Sequence, residues 1–250
     1  MSSSKDKRMY IKVLFFIVGI GLLFDIVRAI GDLGDYPEKI WLHRCNSVEK
    51  LVEKHDKYPN IEVDVVFRED GKFDVTHDLD KSYGLDLRAY CLFMQKLGGR
   101  IWLDIKNMTE ENSRVMLDAL EQLLDLYHIS KENLIIESSS WKPLALFTRN
   151  GYYTSFYVPF DKPSRLDDEQ IQDCIEDLQE IVDSKAVKAL SFPYWWYSDI
   201  KENLHRPVDL LTWAHRSTQL QLLLSPRGRK MLNDDQLKVI LVKEKGDYHR

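Results

Sequence analysis

Four short groups of ionisable residues carry the chemistry that the first half of this chain could perform: His43-Arg44, Glu62-Val63-Asp64, His77-Asp78 and Asp104-Ile105-Lys106. Each stands at or just past the end of a short apolar, β-branched run, where a strand would deliver it. Alternate side chains of a strand share a face, so Glu62 and Asp64 point one way while Ile61, Val63 and Val65 point the other. Asp104 and Lys106 repeat the pattern against Ile101, Leu103 and Ile105. Two carboxylates on one buried face repel each other and lose hydration, so they persist where a cation neutralises them or catalysis requires them. Carboxylate oxygens suit a hard ion, Mg²⁺ or Ca²⁺, far better than the Cys/His sets that select zinc.

The elements that position these groups are legible between residue 35 and the C-terminus, where strand-like and helix-like segments alternate without a low-complexity tract or a Gly/Ser linker. That rhythm indicates a single α/β unit. Strands are predicted at Lys39-Arg44, Asn60-Phe67, Arg100-Lys106, Asn133-Ser138, Tyr152-Val158, Val187-Phe192 and Gln236-Val242. The turn Arg68-Glu-Asp-Gly71 lets Phe73-Thr76 extend or hairpin with the second strand. A further strand falls at either Asp209-Trp213 or Gln219-Leu224. Either choice gives eight β/α units, the count of a closed TIM-type barrel. Helical spacing fills the gaps: Ser47 caps one helix, Val115, Leu117, Leu120, Leu123 and Leu124 stripe a second, and Asp167 to Ser184 carries a third.

A barrel of this kind presents its chemistry at the carboxyl ends of its strands. His43 ends the first strand, Glu62 and Asp64 lie on the second, His77 follows its extension, and Asp104 and Lys106 end the third. Taken singly, a strand-end His or Asp is most often a solvated group. Jointly, two histidines, three carboxylates, an arginine and a lysine are hard to obtain from solvated faces.

Composition narrows the partners. Among 250 residues, 40 acidic against 35 basic side chains leave no global basic field to hold a nucleic acid. The 44% hydrophobic content is enough for one catalytic-size core. Cys45, Cys91 and Cys174 are odd in number and widely spaced, so neither a disulfide framework nor a zinc cluster is indicated.

The N-terminus differs in kind. Lys5, Lys7, Arg8 and Lys12 precede the uncharged run Val13 to Phe24, the charge order of an export signal. Counted from Met9 to Ile30, with Lys12 and Arg28 snorkelling, the stretch is long enough for an anchor. No small-x-small cleavage site precedes Gly31, so residues 1–30 read as an uncleaved signal-anchor, with residues 31–250 as a barrel domain on the extracytoplasmic side. The alternative is a buried first helix.

These residues resemble the glycerophosphodiester phosphodiesterase family, within the phospholipase-C-like phosphodiesterase superfamily, from Trp41 to Asn107. The family's opening His-Arg is similar to His43-Arg44, its Glu-x-Asp to Glu62-x-Asp64, its Asp-Gly turn and His-Asp to Asp70-Gly71 and His77-Asp78, and its Glu-x-Lys to Asp104-x-Lys106. The resemblance implies that His43 and His77 form an acid/base pair and that Glu62, Asp64 and Asp104 hold one divalent cation. It places Arg44 and Lys106 against phosphate, with Asn46 and Asp78 beside the substrate. Two departures stand out: Cys45-Asn46 follows where the family has a glycine, and the third carboxylate is Asp instead of Glu. The His-x-x-Asn-Ser opening with its short spacing to Glu62 is also similar to the menorin branch of the superfamily.

Beyond the matched stretch, Ser191-Phe-Pro-Tyr-Trp-Trp-Tyr197 would set four consecutive aromatics past the sixth strand, Trp195 among them. They form an expected wall at the barrel mouth, or a packed or interfacial patch. Glu137, Tyr157 and Trp213 are further substrate-binding candidates. Asn107-Met-Thr109 matches a glycosylation sequon but abuts the site, and is expected unmodified. The sequence thus predicts a membrane-tethered, metal-dependent phosphodiester hydrolase acting on a glycerophosphodiester or related lipid or polyol phosphodiester. A non-catalytic tethered barrel that binds a polar ligand or partner protein is the alternative. A metal-independent lyase is disfavoured by the carboxylate trio.

Overall fold

The structure, a computed structural model, describes residues 4–32, 38–214 and 217–244, and within the first helix the side chains of residues 10–21, 23, 24 and 27. In chain order the elements are α1 (Ser4–Asp32), β1 (Ile40–Leu42), α2 (Val48–Lys54), β2 (Asn60–Phe67), β3 (Phe73–Val75), α3 (Arg88–Leu97), β4 (Arg100–Ile105), α4 (Ser113–Tyr127) and β5 (Leu134–Ser138). There follow α5 (Trp141–Arg149), β6 (Tyr153–Tyr157), α6 (Asp168–Asp183), β7 (Ala189–Pro193), α7 (Tyr197–Asn203), β8 (Asp209–Trp213), α8 (Gln219–Leu224), α9 (Pro226–Leu232) and β9 (Leu237–Val242). The sheet runs β1-β9-β8-β7-β6-β5-β4-β2, and β1 pairs with β2 to close it. Eight parallel strands ringed by helices make the expected TIM-type barrel. β3 lies outside the ring, antiparallel to the far half of β2, where the three-residue β1 has already ended.

Two apolar layers hold this ring. Outward-facing side chains such as Ile61, Val63, Leu103 and Ile136 pack beneath the helices. Inside the barrel, Trp41, Trp102, Ile135, Leu211 and Val239 form a separate plug, with the Arg100 guanidinium 5.2 Å from the Trp41 ring. One residue pair further along β4, β5 and β7 the interior turns polar, where Trp102 gives way to Asp104, Ile135 to Glu137 and Ala189 to Ser191, while on β8 and β9 it stays apolar with Trp213 and Leu241. The plug closes one end of the barrel, and the polar residues crowd toward the other.

Several local readings hold. Ser47 caps α2 by accepting from the Lys50 N–H, and Asp167 with Gln170 forms a capping box on α6. The ambiguous strand is Asp209–Trp213, while Gln219–Leu224 is helical and opened by a Thr218/Gln221 capping box. The stripe on α4 is corrected by one position: Val115 is exposed and Met116 is buried in its place.

The N-terminal prediction fares differently. α1 is a 29-residue helix over the expected segment, yet among the described residues no helix is long and apolar enough to cross a membrane. The anchor reading of residues 1–30 also falls partly on side chains outside those described. Among the described side chains of α1, Leu14, Phe15 and Phe16 are exposed.

Candidate active site

The strand ends deliver the predicted groups into one cavity of about 410 Å³, lined by His43, Arg44, Glu62, Asp64, His77, Asp104 and Lys106. Glu137, Tyr157, Trp195 and Trp213 complete its wall. Asn46 and Asp78, predicted beside the substrate, stand behind this lining. Asn46 donates from Nδ2 to Asp64 at 2.7 Å and accepts the Asp64 N–H at 3.0 Å, so it fixes that carboxylate. Asp78 accepts from Nδ1 of His77 at 3.1 Å and from Lys81 at 2.5 Å.

β2 and β4 lie in register with Asp64 opposite Asp104, and this pairing concentrates the negative charge. Glu62, Asp64 and Asp104 each offer an oxygen within 4.8 Å of the others. The Lys106 ammonium bridges Asp64, at 2.5 Å, and Asp104. Arg44 approaches Asp64 only to 3.9 Å. Burial, reinforced by Asp64 and Asp104, pushes the Glu62 carboxyl well above the ordinary carboxylate range. Asp64 moves the other way: burial opposes its ionisation, but Lys106 and Asn46 prevail and lower it. Burial raises Asp104 despite Lys106. Lys106, although burial opposes its charge, is held protonated by Asp104 and Asp64. Lys106 thus faces three carboxylates at once. A hard divalent cation fits this all-oxygen donor set, with Glu62, Asp64 and Asp104 as the residues that would hold it.

The two histidines occupy contrasting settings. His43 is mostly buried, its Nε2 3.7 Å from Glu62, and burial drives its pKa well below the usual imidazole value. His77 is exposed on the segment after β3. Arg44 donates to its Nε2 at 2.8 Å, and because guanidinium only donates, that nitrogen carries a lone pair. The ring proton therefore sits on Nδ1, directed at Asp78.

The turn that presents His43 and Arg44 is tied at every residue. Arg44 adopts φ 51°, a left-handed conformation that disfavours side chains, and its N–H donates to Glu62 at 2.5 Å. Lys50 donates to the carbonyls of His43 and Arg44, each at 2.8 Å, and Tyr90 donates to that of Cys45 at 2.6 Å. Lys50 escaped the sequence reading because a lysine on a short helix ordinarily faces water. Lys243, just past β9, also lines the cavity and was missed. Its signal is a cation immediately after an apolar strand.

Of the two readings of the four consecutive aromatics, the packed one holds for Trp196 and Tyr197. Only Trp195 of the four lines the cavity. The chain turns helically after Pro193, which buries Trp196 with its indole donating to the Asp161 carbonyl and sends the Tyr197 hydroxyl to Asp234. The aromatic side of the cavity comes instead from three strand ends, with Tyr157 and Trp213 stacked at 5.2 Å and 13° and Trp195 beside them. Ser191 donates to Glu137, a buried carboxyl that burial and Asp104 push well above its usual range. Asn107 bonds both ways to the backbone of Phe67, so its amide ties β4 to β2.

No known family's sequence profile matches this chain, and no curated protein is similar enough in sequence to match. Solved structures do match. A glycerophosphodiester phosphodiesterase from Parabacteroides distasonis superposes with a TM-score of 0.56 at 15% identity, over 82% of this chain and 92% of its own. A phosphodiesterase from Oleispira antarctica, in complex with the product sn-glycerol-3-phosphate, superposes at 0.54 and 16%, over 82% and 92%. At this identity the likeness shows a shared fold: the TIM barrel in the form these phosphodiesterases have.

Proposed function

We propose that the chain is a metal-dependent phosphodiester hydrolase acting on a glycerophosphodiester or a related lipid or polyol phosphodiester. One observation carries the reading: two histidines, three carboxylates, an arginine and a lysine from separate strand ends line a single cavity. The neighbours' activities support it by analogy of fold. The likeness to the menorin branch rests on the His-x-x-Asn-Ser opening, His43 to Ser47, and its short spacing to Glu62.

A divalent cation held by Glu62, Asp64 and Asp104 would draw charge from a phosphoryl oxygen. Arg44 and Lys106 stabilise the remaining negative charge as it develops. His77, with its lone pair at Nε2, takes the proton of the attacking water or substrate hydroxyl once Arg44 turns to the phosphate. The new P–O bond forms as the bond to the leaving alkoxide breaks, and the proton taken up by His77 is returned to that alkoxide, with His43, kept neutral by burial, as the second member of the pair. Asp78 stabilises the His77 imidazolium. Glu137, Tyr157, Trp195 and Trp213 shape the opposite wall for the organic part of the substrate. Residues 1–30 tether the barrel to a membrane from the extracytoplasmic side, a reading supported by the exposed apolar side chains of α1.

The test is hydrolysis of glycerophosphodiesters and bis-aryl phosphates by the full chain with Mg²⁺, Ca²⁺ or chelator. Turnover that chelator and His43→Ala both abolish is expected. Wild-type turnover in the Glu62→Ala variant would refute the assignment.

A further inference from the structure

His77 stands on an exposed segment with little regular hydrogen bonding of its own, so something else must hold its imidazole toward Arg44. The Thr76 N–H donates to the Asp64 carbonyl at 3.1 Å and its hydroxyl exchanges two 3.3 Å bonds with the Asp78 backbone, but across the turn at 78–81 the backbone adds only the bond from the Lys81 N–H to the Asp78 carbonyl at 3.3 Å. The restraint on the far side of the turn comes from Arg68, at the end of β2 and outside the cavity. Its Nη1 donates to the Leu79 carbonyl at 2.6 Å and its Nη2 to the Lys81 carbonyl. Its Nε and Nη2 also grip Oδ2 of the buried Asp74 on β3, at 3.1 and 2.9 Å.

From there the restraint passes to the imidazole in two contacts. The Lys81 ammonium donates to Asp78 at 2.5 Å, and Asp78 accepts the Nδ1 proton of His77. We infer that Arg68 is a positioning residue for catalysis: anchored on Asp74, it clamps the 78–81 turn and thereby aims His77 Nε2 into the cavity. The guanidinium suits this task because its donors form a rigid planar fork that reaches three acceptors at once, which an ammonium does not. The inference rests on the proposed hydrolase reading, in which His77 accepts a proton.

Phosphodiester turnover of the full chain tests it through kcat and KM for Arg68→Ala, Arg68→Lys, His77→Ala and the double variant Arg68→Ala/His77→Ala. Substrate is bound by Arg44, Lys106 and the aromatic wall, so Arg68→Ala is expected to lower kcat at least tenfold with KM within twofold of wild type. Arg68→Lys, which retains the charge opposite Asp74, should recover part of kcat. The double variant should be no slower than His77→Ala alone, because Arg68 acts only through His77. A merely structural role would instead lower both backgrounds equally. Wild-type kcat in Arg68→Ala, or fully additive losses in the double variant, overturns the inference while leaving the hydrolase reading intact. Wild-type turnover in His77→Ala overturns the reading on which the inference rests. Should Arg68→Ala fail to fold, the same cycle run with Arg68→Lys decides between these outcomes.

Discussion

Nη2 of Arg44 lies 2.8 Å from Nε2 of His77, and this contact selects the tautomer of a histidine on a different strand end. It places the imidazole proton on Nδ1 facing Asp78, and leaves the cavity-facing nitrogen able to accept a proton. A substrate phosphate that draws Arg44 away would free that nitrogen at the moment it is needed.

Replacing Asp78 by Ala removes the acceptor that holds this tautomer. Turnover should fall by less than for His77→Ala, which is expected to lose about 10²–10⁴ in kcat. The check is steady-state kinetics of both variants: equal KM with graded kcat is predicted, and an Asp78→Ala enzyme at wild-type kcat would contradict the role.

The three carboxylates make a prediction about stability and pH. Glu62 has its pKa raised in the fold, so the folded state binds more protons than the unfolded chain once pH exceeds the ordinary Glu value. The cation-free protein should therefore lose stability as pH rises from about 4.5, and Glu62→Gln should flatten that loss. A bound divalent cation requires the ionised carboxylate, so it should reverse the trend and bind more tightly at higher pH. Thermal melts across pH, with and without Mg²⁺, measure this. A cation-free melting temperature that climbs with pH equally in wild type and Glu62→Gln would count against it.

Burial raises the thiols of Cys45 and Cys91, each to about 12, so at pH 8 only about one part in 10⁴ is thiolate. Cys174 is half-buried and also raised, but reachable. Titration of the native protein with a thiol reagent should label Cys174 first, and denaturant should release the other two. Fast labelling of Cys45 in the native state would contradict its place under the His43–Arg44 turn.

Much of this was legible in the sequence because its signals are local. Alternation in Ile61–Val65 and Ile101–Ile105 gave both the strands and the face that carries Glu62, Asp64 and Asp104. The choice between Asp209–Trp213 and Gln219–Leu224 was also decidable locally, since Thr218 and Gln221 spell a capping box. What stayed hidden depends on partners distant in sequence. Lys50 is buried because two carbonyls from the preceding turn await it, and Arg68 reaches Lys81 only once β3 has folded back. The aromatic run 194–197 stayed open between a wall and a packed patch because consecutive residues on a helical turn point in different directions, whereas Tyr157 and Trp213 meet inside the barrel although 56 positions apart.

Trp102, fully buried in the interior plug beneath the site, tests what the fold supplies. Trp102→Ala is expected to cost about 3–5 kcal/mol of unfolding free energy, read by chemical denaturation. A loss under about 1 kcal/mol would show that the plug collapses readily and does not hold the carboxylate layer rigid.

The central claim is that one divalent cation is captured jointly by Glu62, Asp64 and Asp104 in the cavity that holds both histidines. Crystals grown with Mn²⁺ and inorganic phosphate, measured at the manganese absorption edge, locate that ion directly. One anomalous peak bonded to all three carboxylates, lost in Glu62→Gln, is the predicted result. No peak among these three side chains, with Lys106 still bridging Asp64 and Asp104 at saturating Mn²⁺, would contradict the account.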